Sequence, residues 1–226
     1  MNEEQSIGRV VKDIPGDVQW VLVADNGSTD GTARAAREQG AQVVSEPRRG
    51  YGYACLAGIA NLPAGAEIVV FMDGDYSDYP ADLSDLDLVL AMVEHQADLV
   101  IGSRVLGERE KGSLTPQQRF GNWLSTRLIR LLYGFSYTDL GPFRAIRADA
   151  LRRLNMQDRT YGWTVEMQVK ALQHQMKVVE VPVHYRKRIG KSKVSGTVSG
   201  SVKAGAKILW TIGKLAIKKP KIEHRG

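Results

Sequence analysis

The sequence of 226 residues predicts one α/β domain in which a mostly parallel sheet is flanked by helices. Short apolar runs alternate along the chain with helix-like segments, and this alternation favours right-handed crossovers between parallel strands. Two of the runs lead directly into an acidic residue, Asp25 and Asp73. Because ligands of such sheets bind beyond the carboxyl ends of the strands, we expect the functional site near these two residues.

The individual elements are predicted from hydrophobic periodicity and from glycine and proline positions. Pro15-Gly16 and Gly27 bound the first strand, and Gly40 is expected to end the helix that follows it. Polar and apolar residues alternate over 177–185, as in an edge strand. The predicted strands are 18–24, 41–45, 67–72, 98–102 and 177–185, with 141–146 as a short strand or loop, and the predicted helices are 33–39, 53–61, 86–95, 116–133 and 164–174.

The composition narrows the partners and the compartment. The 31 basic and 25 acidic residues give a net charge of +6, which suits a nucleotide, a lipid phosphate, a membrane surface or a nucleic acid. Cys55 is the single cysteine, so no disulfide can form within the chain. The acidic start is unlike a signal peptide, and no apolar run reaches the roughly 18 to 20 residues that span a bilayer. We expect a cytoplasmic protein, or one peripheral on the cytoplasmic face of the membrane.

The triplet Asp73-Gly74-Asp75 follows the strongest predicted strand. Two carboxylates one residue apart in a turn can face the same divalent cation, and oxygen ligands suit Mg²⁺ or Mn²⁺. Such an ion neutralises the charge that develops on a diphosphate leaving group. The alternative is a surface turn rich in Asp and Gly, but the position at a strand end favours a metal site.

The segment from Asp25 to Thr32 is the second candidate site. Asp25 can accept hydrogen bonds from a base or a ribose, and Gly27 permits a close approach of the backbone. The alternative is a plain connection from strand to helix, in which Asp30 caps the helix.

In this order and about 40 residues apart, the two segments resemble those of the family 2 glycosyltransferases, which have the Rossmann-like GT-A fold. Five further segments resemble motifs of the same family, at residues 2–4, 49–52, 102–104, 139–144 and 186–193. The last of them, 186–193, is typical of the dolichyl-phosphate mannosyltransferase and polyprenyl-phosphate glycosyltransferase branch of this family. In the family a further strand precedes the position of Asn2, and that strand is not present in this sequence.

The resemblance implies a role for each matching residue. Donor binding is implied for Glu3, Asp25, Asn26, Gly27, Arg49, Gly50, Asp73, Gly74 and Asp75. Asp73 and Asp75 would also hold Mg²⁺ or Mn²⁺. The donor diphosphate or the acceptor phosphate would be held by Arg104, Arg119, Arg186, Arg188, Lys191, Ser192 and Lys193. Asp139, Glu166 and Arg104 are the candidate catalytic residues.

The implied reaction is an inverting transfer of a hexose from GDP-mannose or UDP-glucose to a polyprenyl or dolichyl phosphate. An alcohol acceptor needs a general base, whereas a phosphate monoester with a second pKa of about 6 is already ionised at neutral pH. The basic segment 186–193 suits a phosphate, although it also fits a solvated edge loop. Asp139 is open to two interpretations, as a base or as a structural carboxylate. A family member with a saccharide or small-molecule acceptor is the alternative.

The chain is predicted to divide into a catalytic domain, residues 1–196, and a basic amphipathic helix and tail, residues 197–226. The helix would lie on an anionic membrane or pack against the domain. A sugar-phosphate nucleotidylyltransferase is a lesser alternative, because the glycine-rich loop with a catalytic Lys or Arg is missing. No nucleic-acid partner is expected, because only Tyr185 accompanies the basic segment as a stacking residue.

Overall fold

The structure is a computed structural model that describes residues 1–83, 88–190 and 198–217. Helices and strands alternate through much of the described chain. The strands are β1 (Leu22–Asp25), β2 (Gln42–Ser45), β3 (Ile68–Phe71), β4 (Leu99–Ser103), β5 (Arg144–Arg147) and β6 (Val178–Pro182). The helices are α1 (Glu4–Lys12), α2 (Thr32–Glu38), α3 (Tyr51–Ala60), α4 (Leu88–Glu94), α5 (Pro116–Tyr133), α6 (Ala148–Leu154), α7 (Trp163–Gln173) and α8 (Val198–Ile217). A short 3₁₀ helix covers Pro80–Leu83.

The strands form two sheets in the described residues. Strands β1 and β2 pair in parallel, and the larger sheet has the order β3-β5-β4-β6. Strand β5 is antiparallel to both β3 and β4, while β6 is parallel to β4. Three of the four strands in the larger sheet therefore run in the same direction, and the carboxyl ends of β3 and β4 lie on the same edge. The mixed α/β fold class predicted from the sequence is confirmed.

Most predicted elements are present with small shifts of their ends, and two helices were not predicted. The first strand begins at Leu22 rather than Val18, because pairing with β2 starts only at Leu22. Helices α1 and α6 were missed. Buried residues of α1, such as Ile7 and Val11, pack under α2 and β1.

Three apolar clusters hold these layers together. The largest surrounds the fully buried Trp163 and includes Ile129 of α5 and Ile146 of β5. A second cluster packs α4 against the opposite face of the large sheet. The third joins α1 and α2 to β1. With helices on both faces, the sheet leaves its strand ends as the accessible edge for a site.

Helix α8 packs against α5 and α7. Its Ile212 is fully buried, and the backbone oxygen of Ile212 accepts a hydrogen bond of 2.9 Å from the Tyr133 hydroxyl. The predicted boundary between domain and tail falls at residues 196 and 197, outside the described residues. Within the described part of the chain, no helix has the length and apolar character needed to cross a bilayer.

Candidate active site

The turn that follows β3 presents three carboxylates within six residues, Asp73, Asp75 and Asp78. Asp78 fixes the turn, because its Oδ2 accepts a hydrogen bond of 3.2 Å from the Asp73 backbone N–H. Asp75 Oδ1 accepts bonds from the Ser77 backbone N–H at 3.0 Å and from the Ser77 hydroxyl at 2.5 Å. The two predicted metal ligands therefore sit on a turn whose shape is set by its own side chains.

The negative charges in this turn are crowded. Burial, and next the charge of Asp75, raise the pKa of Asp73 to about 7. Burial also raises the pKa of Asp78 well above its usual range, followed by the charges of Asp73 and Asp75. The guanidinium charges of Arg104 and Arg188 partly offset this effect at Asp73. Crowded, partly desolvated carboxylates favour a bound cation.

A divalent ion fits this turn. Asp78 is almost fully buried, and its Oδ1 has no hydrogen-bond partner among the described residues. In the same part of the chain, no group of three or more His, Cys, Asp and Glu side chains is arranged to hold a metal by itself. Mg²⁺ is commonly held by one or two carboxylates and completed by substrate phosphates and water. Asp73 and Asp75 correspond to this kind of incomplete site.

The basic segment predicted to bind phosphate lies directly against the acidic turn. The backbone N–H of Ile189 donates to the backbone oxygen of Asp75, and the backbone N–H of Arg186 donates to the backbone oxygen of Ser77. Both hydrogen bonds are 2.9 Å long. The Arg188 guanidinium bridges Asp75 Oδ2 at 3.0 Å and Glu3 Oε1 at 2.9 Å. Three predicted site residues, Glu3, Asp75 and Arg188, are thus brought together. Lys191, Ser192 and Lys193 lie outside the described residues.

Arg186 is held differently from Arg188. Its Nε donates to the Tyr76 backbone oxygen at 2.6 Å, and its Nη2 donates to the Asp78 backbone oxygen at 3.2 Å. The guanidinium carbon lies 3.4 Å from the ring centroid of Tyr76 and 4.1 Å from that of Tyr79. Arg186 thus braces the acidic turn, and this geometry suits a positioning residue better than a phosphate ligand.

Arg104 and Asp139 form a buried bidentate ion pair. Arg104 Nε donates to Asp139 Oδ2 at 2.7 Å, and Arg104 Nη2 donates to Oδ1 at 2.8 Å. Burial alone would raise the pKa of Asp139, but the charge and hydrogen bonds of Arg104 outweigh it and lower that pKa. A carboxylate with a lowered pKa and both oxygens occupied is a weak base, so the structural interpretation of Asp139 is favoured.

Glu166 is buried and Arg119 is exposed, and this difference bears on their predicted roles. The buried Glu166 carboxylate accepts from the backbone N–H groups of Gln157 and Asp158, and it pairs with Lys170 at 2.7 Å. It therefore holds the loop before α7. Arg119 is exposed on the first turns of α5.

The predicted donor-side residues form a connected loop system. Asp25 Oδ1 accepts from the Ser28 backbone N–H at 3.3 Å. The Asn26 amide donates to the Arg48 backbone oxygen, and its Oδ1 accepts from the Gly50 N–H at 2.8 Å. Gly27 has a φ of 70°, a conformation that favours glycine. Arg49 lies exposed on the same loop.

A cleft of about 220 Å³ adjoins this system. It lies between the N-terminal segment, the β1–α2 turn and the loop that carries Arg188. Its lining residues include Asn2, Glu3, Glu4, Ser6, Asp30 and Ile189. The cleft places Glu3, a predicted donor-binding residue, beside the basic segment.

Sequence reasoning assigned no role to Asp78 or to the Tyr76 and Tyr79 rings. Asp78 follows Asp73 by five residues, and its proximity along the chain was an available signal. The two tyrosines gave no such signal, because their partner Arg186 lies more than 100 residues away.

The fold is that of the GT-A glycosyltransferases. Among solved structures, the chain resembles glucosyl-3-phosphoglycerate synthase from Mycobacterium tuberculosis in complex with Mn²⁺, UDP and glucosyl-3-phosphoglycerate. The TM-score is 0.70 with 21% identity, over 94% of this chain and 77% of that chain. At this identity the likeness shows the fold alone.

The chain belongs to Glycosyl transferase family 2, whose sequence pattern matches residues 1–154. An uncharacterized glycosyltransferase of Mycobacterium tuberculosis is 40% identical over 204 residues, 89% of each chain. The undecaprenyl-phosphate mannosyltransferase of Micrococcus luteus is 33% identical over 80% of this chain and 77% of that protein. The dolichyl-phosphate hexose transferase of Haloferax volcanii is 31% identical over 88% and 86%. The predicted family is confirmed, and a glycosyltransferase is favoured over a nucleotidylyltransferase or a nucleic-acid-binding module.

Proposed function

We propose that this chain transfers a hexose from a nucleoside-diphosphate sugar to a polyprenyl or dolichyl phosphate, with Mg²⁺ or Mn²⁺ bound at Asp73 and Asp75. The observation that carries the proposal is the contact of the acidic turn after β3 with the guanidinium of Arg188. Anionic and cationic groups side by side suit a metal-bound diphosphate next to a second phosphate. The printed names of the relatives from Micrococcus luteus and Haloferax volcanii support a lipid-phosphate acceptor.

A divalent ion would neutralise the charge that develops on the leaving diphosphate. The Mn²⁺ and UDP in the M. tuberculosis neighbour support this requirement. In the present conformation Asp75 is paired with Arg188, so we expect this ion pair to open when a metal and a diphosphate bind. Arg188 would then be free to contact a phosphate oxygen.

The acceptor chemistry follows from the charge of a phosphate monoester. One of its oxygens attacks the anomeric carbon, the bond from that carbon to the donor diphosphate breaks, and a nucleoside diphosphate leaves with inversion. Because the acceptor is already ionised, with a second pKa of about 6, no side chain has to remove a proton. The Asp139 carboxylate, with both oxygens bound to Arg104, agrees with a reaction that needs no general base. Arg104 and Asp139 would act by holding the end of β4 and the segment before β5 in position around the sugar.

The donor would enter from the cleft beside Glu3. Asp25 lies at the end of β1, where a ribose or a base edge would be met, and Asn26 and Gly50 hold the adjoining loop in place. Both GDP-mannose and UDP-glucose are candidate donors, because the hydrogen bonds among the residues of this pocket do not distinguish a guanine from a uracil.

Helix α8 is proposed to contact the membrane that holds the lipid acceptor. One face packs on the domain through Ile212, whereas Val202, Trp210 and Ile217 are exposed on the other. Lys203 and Lys214 lie near this exposed face. An exposed Trp accompanied by lysines suits an anionic bilayer surface.

The proposal is tested by incubating the protein with Mn²⁺, radiolabelled GDP-mannose or UDP-glucose, and a short-chain polyprenyl phosphate. We expect a labelled lipid-linked sugar that disappears with a chelator and in Asp75→Asn. Asp17→Asn is the matched control, because Asp17 is exposed and outside the site.

A parallel reaction replaces the lipid phosphate by 3-phosphoglycerate, which is suggested by the solved neighbour. Transfer to 3-phosphoglycerate but not to the lipid would overturn the proposed acceptor. Equal activity of Asp75→Asn and the wild type would overturn the metal site.

A further inference from the structure

The outer face of α5 carries large apolar side chains that the fold leaves uncovered. Phe120 is 62% exposed, Trp123 is 52% exposed and Leu131 is 80% exposed. The Phe120 and Trp123 rings contact each other, with centroids 5.8 Å apart. On the opposite face, Ser125 and Ile129 are buried in the protein. Helix α5 is thus apolar on its outer side as well as its inner side.

These exposed residues form one stripe along the helix. Phe120, Trp123, Arg127 and Leu131 recur at intervals of three or four residues, so they lie on the same face. From Phe120 to Leu131 the stripe is about 16 Å long at the helical rise per residue. A stripe of this length parallel to the helix axis suits a flat surface that α5 lies against.

The charged residues of α5 are all positive. Arg119, Arg127 and Arg130 are exposed on α5, and the helix contains no acidic residue. The neighbouring α8 also lacks acidic residues and exposes Lys203 and Lys214. A large exposed aromatic pair is uncommon on a soluble surface, and the arginines beside it on α5 point to an anionic partner.

We propose that the outer face of α5 is a second contact of this protein with an anionic bilayer, beyond the contact proposed for α8. Phe120, Trp123 and Leu131 would enter the boundary between head groups and acyl chains, while Arg127 and Arg130 pair with lipid phosphates. Aromatic and aliphatic groups with arginines on one helix face match an interfacial helix better than a protein or nucleic-acid partner, because Arg127 lies within the apolar stripe and Arg119 and Arg130 lie along one side of it. Vesicle binding does not require transfer activity, so this surface is tested separately from the proposed reaction.

The test is sedimentation of the full chain with vesicles of phosphatidylglycerol and phosphatidylcholine, and with vesicles of phosphatidylcholine alone. We expect the wild type to prefer the anionic vesicles, and the double variant F120S/W123S to bind them at least about tenfold more weakly. R127Q/R130Q is expected to lose the preference for anionic lipid, and it keeps the test decisive if the first variant fails to fold. The matched control is L90S/V93S on α4, a helix that contains no arginine and in which Leu90 and Val93 are 51% and 63% exposed.

Equal vesicle binding by the wild type and F120S/W123S, or an equal loss in the α4 control, would overturn the proposal. Sedimentation velocity identifies the alternative occupant, a second copy of the chain. A wild-type dimer that F120S/W123S converts to a monomer without any change in vesicle binding would also overturn it. F120S/W123S is expected to retain transfer to a dissolved short-chain acceptor. If the wild type binds vesicles through α5 but transfers to no acceptor, the proposed function fails while the surface stands.

Discussion

Arg104 and Asp139 lie 35 residues apart in the sequence and meet in a buried bidentate ion pair, with a distance of 2.7 Å from Nε to Oδ2. Asp139 is fully buried, and the side chain of Arg104 is 13% exposed. The pair joins the end of β4 to the segment before β5. It therefore fixes one wall of the candidate active site while leaving no free carboxylate there.

Replacing Asp139 by Asn should leave Arg104 buried without its counter-charge. We expect the free energy of unfolding to fall by about 3 kcal/mol or more. Denaturant unfolding of Asp139→Asn measures this loss. The control Asp149→Asn removes an exposed partner of Arg153 at 3.8 Å and should cost no more than about 1 kcal/mol. Similar losses in the two variants would contradict a buried structural pair.

The same Asp139→Asn variant separates positioning from base catalysis. If Asp139 orients Arg104, kcat falls but the shape of its pH profile is unchanged. Disappearance of the acidic limb of that profile would instead identify Asp139 as the general base.

Arg186 should control metal affinity rather than acceptor affinity. Lysine cannot reproduce both carbonyl contacts and the stacking on Tyr76 and Tyr79, so Arg186→Lys should loosen the acidic turn. We expect the Mn²⁺ concentration for half-maximal transfer to rise about tenfold or more, as when a residue that orients metal ligands is lost. Arg37→Lys, at an exposed position on α2, is the control. An unchanged Mn²⁺ requirement with a raised KM for the lipid phosphate would show that Arg186 is a phosphate ligand instead.

Gly52 and Gly58 of α3 form a matched pair for backbone packing. A Cβ at Gly52 would lie 2.1 Å from the Asp158 backbone oxygen, whereas nothing lies within 4 Å of one at Gly58. Gly52→Ala should lower the free energy of unfolding by about 2 kcal/mol. Gly58→Ala should raise it by about 0.5 to 1 kcal/mol, because alanine loses less entropy in a helix. Thermal unfolding of both variants measures the difference, and a stable Gly52→Ala protein would refute this packing of α3 against the loop before α7.

His184 makes a contribution to the free energy of unfolding that depends on pH. The hydrogen bond that His184 Nδ1 donates to Asp82 Oδ1, with a length of 2.9 Å, raises the pKa of His184 above 6.5 in the folded state. This contribution is fully present below pH 6.5, the unfolded value, and is lost as the pH rises through the folded value. The Tm difference between wild type and His184→Gln should therefore be larger at pH 5.5 than at pH 9. His95→Gln, at an exposed histidine, is the control, and a difference independent of pH for His184→Gln would contradict the ion pair.

Local signals in the sequence were sufficient to predict much of the fold. Helix α5 was predicted with both ends correct from its hydrophobic periodicity. In the structure Thr115 and Gln118 form a capping box, Pro116 begins the helix and Gly134 ends it with a φ of 73°. Helix α1 was missed although Ile7 and Val11 have the spacing of one buried helical face.

Local signals in the sequence did not predict which distant segments pair with one another. Period and composition identify strands, but the antiparallel insertion of β5 between β3 and β4 depends on contacts between distant segments. The site shows the same division. The strand-end positions of Asp25 and Asp73 were predicted, whereas the bridge from Arg188 to Glu3 joins residues 185 apart in the sequence.

The proposed reaction depends on Asp73 and Asp75 holding a divalent ion against a nucleoside diphosphate. Electron paramagnetic resonance of Mn²⁺ measures this directly, because protein-bound Mn²⁺ loses the sharp signal of the free ion. With GDP or UDP present, we expect the wild type and Asp17→Asn to bind Mn²⁺ and Asp75→Asn to bind it at least about tenfold more weakly. Equal Mn²⁺ binding by Asp75→Asn and the wild type, in the presence of either nucleotide, would contradict a metal site at Asp75.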